Sequence, residues 1–332
     1  MAKAMMCEAF GPLESLTLKA VEVDVPKAGQ VRIAVHAAGV NLNDALKVEG
    51  RHHEKPQPPF APGSGIAGII LDVGEGVQGL AAGDRVVASM DGAIGGFATE
   101  AVTSAGTVAR IPDTFDFATA CGFSASYASA YEAVASVGKV AAGETVVVTG
   151  AAGGLGVPAI EIARARGARV IAIVSTPEKA QAARQAGADE VIDRVQEDVR
   201  ARMLALTGGR GADVVIELVG GDALRLALRY IAFGGRIVIT GFTSGDVPEI
   251  RAILMLLKGF ELRGSNLSLA SRKIPGHYAA TCAALFELMA QGHIKPRAPT
   301  CYPLEKAVDA IRELQAGNVI GKIALTMDHL RA

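Results

Sequence analysis

The chain has no tryptophan, only 5% aromatic residues, and four cysteines in 332 positions. Cys7, Cys121, Cys282 and Cys301 lie far apart and form no Cys-x-x-Cys pair. Neither a disulfide framework nor a four-cysteine zinc lobe is readable from that pattern, and buried free thiols are the expectation. An excess of one charge is also missing: 33 Lys+Arg against 34 Asp+Glu leave a formal net charge of −1 at pH 7. Nothing in that balance attracts a nucleic-acid backbone or an anionic membrane surface. No apolar run reaches the roughly 18 residues a bilayer span requires. The segment Met1 to Glu8 has no apolar core and meets an acidic residue early, unlike a secretory signal, so a cytoplasmic location is expected.

What is present is apolar. Hydrophobic residues make up 50% of the chain, ample for a packed core and incompatible with disorder. The length suggests two domains. Glycine is abundant, 39 of 332, or about 12% against a usual ~7%. That many glycines imply recurring tight turns and close backbone approaches.

The first ~120 residues read as short strands between Gly/Pro turns. They are Ser15–Val23, Val31–Ala38, Gly65–Val73, Arg85–Ala88 and Phe97–Val102, and they suggest a mainly antiparallel, partly barrelled β domain. From about residue 125, apolar strands alternate with Ala-rich helices. The strands are Thr145–Thr149, Arg169–Val174, Glu190–Ile192, Asp213–Leu218, Gly235–Thr240 and Glu261–Arg263; the helices include Gly154–Arg166, Pro177–Gln185, Val195–Leu206 and Ala223–Ile231. Uniformly apolar strands with intervening helices predict an α/β domain with a doubly wound parallel sheet of the Rossmann type. Helices His277–Gln291 and Leu304–Ala316 and a short strand Lys322–Thr326 close the chain.

The strand Glu144–Thr149 runs into Gly150-Ala151-Ala152-Gly153-Gly154-Leu155-Gly156 and then a helix. Glycines at this junction let the backbone approach a pyrophosphate, whose charge is met by free N–H groups and the helix dipole. Strand before, helix after and further α/β units behind favour a dinucleotide site over glycines that serve packing alone. The second strand ends in Ser175-Thr176-Pro177-Glu178-Lys179. No acidic residue stands at the tip, where an NAD-specific chain holds the ribose 2′-hydroxyl. Ser175, Thr176 and Lys179, with Arg194 after the third strand, can instead receive a 2′-phosphate, so NADPH is the expected cofactor. Arg194 could equally be an ordinary surface residue, and for Lys179 that is the lesser alternative.

In order along the whole chain, Cys7–Pro12, Val35–Asn41, Pro59–Ser64, Val73–Val77, Gly83–Val86, Gly143–Val146, Gly150–Gly156, Gly187–Asp189, Gly234–Ile237 and Gly321–Ile323 resemble the zinc-independent medium-chain dehydrogenase/reductase superfamily, and within it the NADPH:quinone oxidoreductase family. The resemblance implies a GroES-like catalytic domain assembled from residues 1–124 and 268–332, with a Rossmann cofactor domain, 125–267, inserted between. It also bears on metal. Zinc-dependent relatives carry a Cys after the Gly-Val of the second strand and a His-Glu after the Pro-Gly turn, where this chain has Asn41 and Ser64-Gly65. Cys121 sits about four residues before the place of the third ligand, and one misplaced thiol cannot hold Zn²⁺. No metal is therefore expected.

Without a Lewis acid, alcohol oxidation is disfavoured. Reduction of a quinone or an activated C=C bond needs only donors for the growing oxyanion. The resemblance places Asn41 and Ser129 beside the nicotinamide, although Asn41 could equally cap a turn beside Asp44 and Ser129 could simply start a helix. His52 or His53, in a polar stretch expected to form a rim loop, could protonate product or be merely solvated. Tyr127 and Tyr131 could line the pocket or pack. Quinone-reducing relatives often carry tyrosines where this chain has Leu46 and His52, and an acid where it has Gly65, so the pocket wall is altered. Val219 and Gly220, Gly241, Phe242 and Thr243, and Asn266 and Leu267 follow the fourth, fifth and sixth strands, where an open sheet binds its ligand. Relatives pair the edge strand Glu261–Arg263 across a two-fold axis, so a homodimer is expected. The leading reading is an NADPH-dependent quinone reductase with a small-molecule quinone or enone substrate. The competing readings are a reductase of α,β-unsaturated carbonyls or enoyl thioesters, and an NADPH-binding protein without catalysis.

Overall fold

The structure, a computed structural model, describes residues 1–52, 55–317, 319 and 321–327. The chain divides into two compact units, one of Met1–Ala125, Ser268–Ala283 and Pro296–Ala332, the other of Ser126–Leu267 and Ala284–Lys295.

The first unit is built on β1 (Ala2–Met6), β2 (Thr17–Val21), β3 (Gln30–Val40), β4 (Gly65–Val73), β5 (Arg85–Ser89), β6 (Glu100–Ser104) and β7 (Val108–Arg110). The second contains β8 (Thr145–Val148), β9 (Arg169–Val174), β10 (Glu190–Asp193), β11 (Ala212–Glu217), β12 (Ile231–Ile239) and β13 (Glu261–Gly264). Two late strands, β14 (Thr300–Pro303) and β15 (Ile323–Thr326), return to the first unit.

In the first unit β1 and β2 form a hairpin, and a seven-stranded sheet runs β14-β15-β3-β4-β5-β7 with β6 on β3. Every pairing is antiparallel except β14–β15. Ile33, Val35, Ile66, Phe97, Ile323 and Leu325 fill its core, all fully buried. The pairing of Ile323 with Val40 brings the end of the chain beside the end of β3. A helix, Leu42–Val48, follows β3 directly; it was not legible as a helix in the sequence.

The second unit is a six-stranded sheet, β10-β9-β8-β11-β12-β13, parallel throughout. This is the doubly wound order, with its switch point between β8 and β11. Fully buried Val146–Val148, Val170–Ala172 and Val214–Ile216 explain the unbroken apolar texture of the strands. The expected helix from Val195 starts later, at Val199, because Asp198 caps it by accepting the Ala201 N–H at 2.9 Å. Among the described residues no helix is long and apolar enough to cross a membrane.

Candidate active site

The phosphate-type turn leaves β8 through Gly150, whose φ of 59° is left-handed and suited to glycine. The Gly153 N–H donates to the Gly150 carbonyl at 3.0 Å, and helix Gly156–Ala165 starts on top of the turn. A Cβ on Gly156 would lie 2.4 Å from the Gly150 oxygen and 2.5 Å from that of Ala151. The turn therefore demands glycine there. Ala152 is buried, while Gly153, Gly154 and Leu155 are half-exposed.

At the tip of β9 the Arg194 N–H donates to the Val174 carbonyl at 2.9 Å, which sets Arg194 beside Ser175 and Thr176. Arg194 is exposed and Lys179 half-buried. Thr176 is the N-cap of helix Pro177–Gln185 and accepts the Lys179 N–H at 3.3 Å. Its hydroxyl also helps hold the Glu178 carboxyl below the usual range, after the larger effect of the Glu178 backbone N–H. Thr176 is thus engaged locally, and an acid the sequence reading had passed over stands beside it.

The loops after β11 and β12 interlock. Thr243 N–H donates to Leu218 (3.2 Å), Ser244 N–H to Val219 (2.9 Å) and Gly221 N–H to Asp246 (3.0 Å). Gly220 (φ 75°) has no room for a Cβ, which would meet Phe242 Cδ1 at 2.7 Å. Ser265 N–H donates to Ile239 at 2.9 Å, which sets exposed Asn266 and buried Leu267 beyond the carboxyl end of the same sheet. Beneath these loops lies fully buried Glu217, which the sequence reading missed. Its Oε1 accepts from Val219 N–H (2.7 Å), Gly220 N–H (2.9 Å) and Thr149 Oγ1 (3.0 Å). Burial pushes the carboxyl pKa up against these three donors.

In the first unit Asn41 ends β3 and opens helix Leu42–Val48. Its backbone N–H donates to Asp44 Oδ2 at 2.7 Å, and Asp44 Oδ1 accepts the Gly63 N–H at 3.1 Å. The capping alternative for Asn41 is thus realised by its backbone. The side chain is separately placed: Nδ2 lies 3.3 Å from both the Gly39 oxygen and Ser64 Oγ, and Oδ1 accepts from Lys322 Nζ. Lys322 Nζ also donates to the Val40 carbonyl at 3.4 Å. Desolvation brings the Lys322 pKa down to about 8, against the opposing charge of Asp44. Lys322 was read only as part of a family-like segment. The available signal was a lysine at the mouth of a fully buried strand.

The remaining candidates are distributed differently. Tyr127 OH donates to Glu161 Oε2 at 2.8 Å, and the same oxygen accepts the Lys295 N–H at 3.2 Å. The Tyr127 hydroxyl is thus engaged by a buried carboxyl group within the second unit. Ser129 is half-buried in a short helix, Ala128–Tyr131, between two π-helical stretches, Phe123–Tyr127 and Glu132–Val137. Such π turns are frequent at functional sites. His52 is buried, 6% exposed, and not on a solvated rim. The Leu46 carbonyl captures both Arg51 (2.8 Å) and His52 (3.0 Å) N–H groups and folds the chain back at the helix end. His53 lies outside the described residues.

A GroES-like alcohol dehydrogenase domain matches residues 27–113, and a zinc-binding dehydrogenase domain matches residues 154–283. Human quinone oxidoreductase is 33% identical over 327 residues, 98% of this chain and 98% of the relative. The chain belongs to the quinone oxidoreductase family of the medium-chain dehydrogenase/reductase superfamily. Escherichia coli quinone oxidoreductase, solved with NADPH, is similar at a TM-score of 0.90 and 27% identity, covering 98% of this chain and 100% of that one. The structure of a 2-haloacrylate reductase is similar at a TM-score of 0.88 and 26% identity, covering 98% and 99%.

Zinc, which one of the two domain descriptions names, does not suit Asn41, Gly65 and Cys121, the described residues that the resemblance sets at or near the ligand positions of zinc-dependent relatives. Asn41 offers an amide in place of a thiolate. Gly65 has no side chain to offer a ligand, and a Cβ there would press on Ala125 Cβ at 3.0 Å and Ser124 Oγ at 3.1 Å. The Cys121 thiol donates to the Ala118 carbonyl at 3.1 Å within its own helix, and one thiol does not make up the three protein ligands that a catalytic zinc takes.

Proposed function

We propose that this chain is an NADPH-dependent reductase that works without zinc, transfers hydride to a quinone and acts as a homodimer. The observation that carries the reading is the Asn41 amide, held at the end of β3 where zinc-using relatives place a metal thiolate. Bound NADPH would supply the hydride from its nicotinamide C4. The turn Gly150–Gly156 would hold the pyrophosphate, a fit supported by a cradle that a Cβ on Gly156 would fill. Ser175, Lys179 and Arg194 would take the 2′-phosphate.

A quinone suits this equipment. It accepts hydride without prior loss of a proton, and an N–H donor at its oxygen stabilises the charge that develops. Asn41 Nδ2 would be that donor, Ser129 would contribute a hydroxyl, and water would supply the one proton that completes the hydroquinone. Oxidation of an alcohol would need its hydroxyl proton labilised by a Lewis acid or a general base, and the Asn41 amide is neither. The exposed edge strand β13, with exposed Leu256 and Leu257 just before it, supports pairing of two copies.

Likeness to a 2-haloacrylate reductase favours, as a second reading, reduction of a C=C bond conjugated to a carboxylate or carbonyl. Steady-state NADPH oxidation with benzoquinones, naphthoquinones, enals and enoyl thioesters decides between the two. Quinone turnover at least tenfold more efficient than enal turnover is expected. Turnover with enals or thioesters alone establishes the second reading, and tight NADPH binding without any turnover establishes a non-catalytic binding protein.

A further inference from the structure

We propose that Lys322 is a positioning residue for the Asn41 amide: its ammonium fixes Oδ1 and thereby turns the two Nδ2 hydrogens away from the lysine, toward the Gly39 carbonyl and Ser64 Oγ, each 3.3 Å away. This rests on the reading of Asn41 as the oxyanion donor, but the contact itself stands on geometry. An ammonium has donors only, so the atom facing it must be the amide oxygen. The amide therefore has one orientation, although oxygen and nitrogen are nearly isosteric. The same contact polarises the amide, since a hydrogen bond from a cation is roughly twice as strong as one between neutral groups. A more positive Nδ2–H is a better donor to an oxyanion.

The fold builds the contact deliberately. β15 inserts between β14 and β3, and its Ile323 pairs with Val40. The residue before Ile323 is thereby set beside the residue after Val40. The Lys322 stem passes Gly122, where a Cβ would lie 3.5 Å from Lys322 Cγ. The groups facing the ammonium are the Asn41 amide and Val40 carbonyl at the end of β3, the Asp44 carboxylate of helix Leu42–Val48 and the Cys121 thiol of helix Phe117–Gly122. Asp44 is committed to the N–H groups of Asn41 and Gly63. It therefore offers Lys322 a charge without a direct bond.

Because desolvation lowers the Lys322 pKa to about 8, the charged hold on Asn41 is complete below that pH and is released above it. In the wild type, kcat for quinone reduction should fall on the alkaline side with an apparent pKa near 8, with KM unchanged. Lys322→Met should lower kcat about tenfold, keep the quinone KM and NADPH affinity, and lose the alkaline limb. Lys322→Arg should recover most of kcat and carry the limb to higher pH. A Met variant with wild-type kcat and an unchanged limb would overturn the proposal.

A second readout does not depend on which substrate is reduced. In ¹⁵N-labelled protein, the side-chain NH₂ resonances of Asn41, assigned with Asn41→Asp, should shift with a midpoint near pH 8 in the wild type and stay flat in Lys322→Met. A flat wild-type response would sink the Lys322–Asn41 contact. A clear titration in a protein that reduces no quinone would sink the functional reading alone.

Discussion

Thr149 Oγ1 donates to Glu217 Oε1 at 3.0 Å and accepts the Leu218 N–H at 2.9 Å. The residue that precedes the phosphate turn is thereby tied to the loop that follows the neighbouring strand β11. The same carboxyl oxygen holds the N–H groups of Val219 and Gly220, so one buried side chain sets the relation of the two loops that follow β8 and β11. Glu217→Gln keeps an acceptor oxygen and should leave NADPH affinity within about threefold. Glu217→Leu strands three donors, two of them buried and each of those worth about 1–3 kcal/mol when unpaired, and should weaken NADPH binding at least tenfold, as read by fluorescence titration.

The same residue gives a pH test. Burial raises its folded pKa, so the unfolded chain ionises first as pH rises and folding loses stability upward from the usual carboxylate range. The Tm of Glu217→Gln relative to wild type should therefore be higher at pH 7 than at pH 4. A difference independent of pH would show that Glu217 titrates alike in both states.

Gly156→Ala tests the cradle. The added methyl meets the Gly150 oxygen at 2.4 Å, and overpacking of this kind costs about 1–3 kcal/mol. The helix start must move off the turn, so NADPH affinity should fall about a hundredfold while the far-ultraviolet circular dichroism spectrum stays close to wild type. Unchanged affinity would show that the turn does not hold the pyrophosphate.

Much of this was legible in the sequence, and the reasons are physical. Strands β8, β9 and β11 are buried on both faces, so their apolar runs announce a covered parallel sheet, and the glycines at 150–156 mark the turn by their spacing. The tie between Asn41 and Lys322 spans most of the chain and exists only because β15 pairs with β3, a register no local pattern encodes. Glu217 reads as one more polar residue at a strand end until burial and three donors reveal it. Tyr127 and His52 were assigned by type and position. Glu161 engages the Tyr127 hydroxyl from 34 residues away, and the Leu46 carbonyl folds the backbone back at His52; neither contact follows from residue type and position alone.

Lys179→Ala and Arg194→Ala test the choice between cofactors. A charge-assisted bond to the 2′-phosphate is worth about 1.5–3 kcal/mol, so each variant should bind NADPH about tenfold more weakly. NADH, which lacks that phosphate, should be unaffected in the same titration. Equal losses for the two cofactors would assign both residues to folding.

Dialysis against EDTA or 1,10-phenanthroline should leave NADPH oxidation within experimental error of the untreated enzyme, and added Zn²⁺ should not raise it. The Cys121 thiol, buried and pushed up to about 12, is protonated across the working range. A chelator that abolished activity, with recovery on Zn²⁺, would show that other residues assemble a metal site.

The central claim is that this chain passes hydride from NADPH to a quinone. Its most direct test is an anaerobic single-turnover mixing of the NADPH-loaded enzyme with 1,4-benzoquinone, with hydroquinone measured against NADPH consumed. The account predicts one hydroquinone per NADPH in the wild type and a rate about a hundredfold lower in Asn41→Ala, the loss typical of a missing oxyanion donor. NADPH that stays bound and unoxidised in the presence of excess quinone would contradict it.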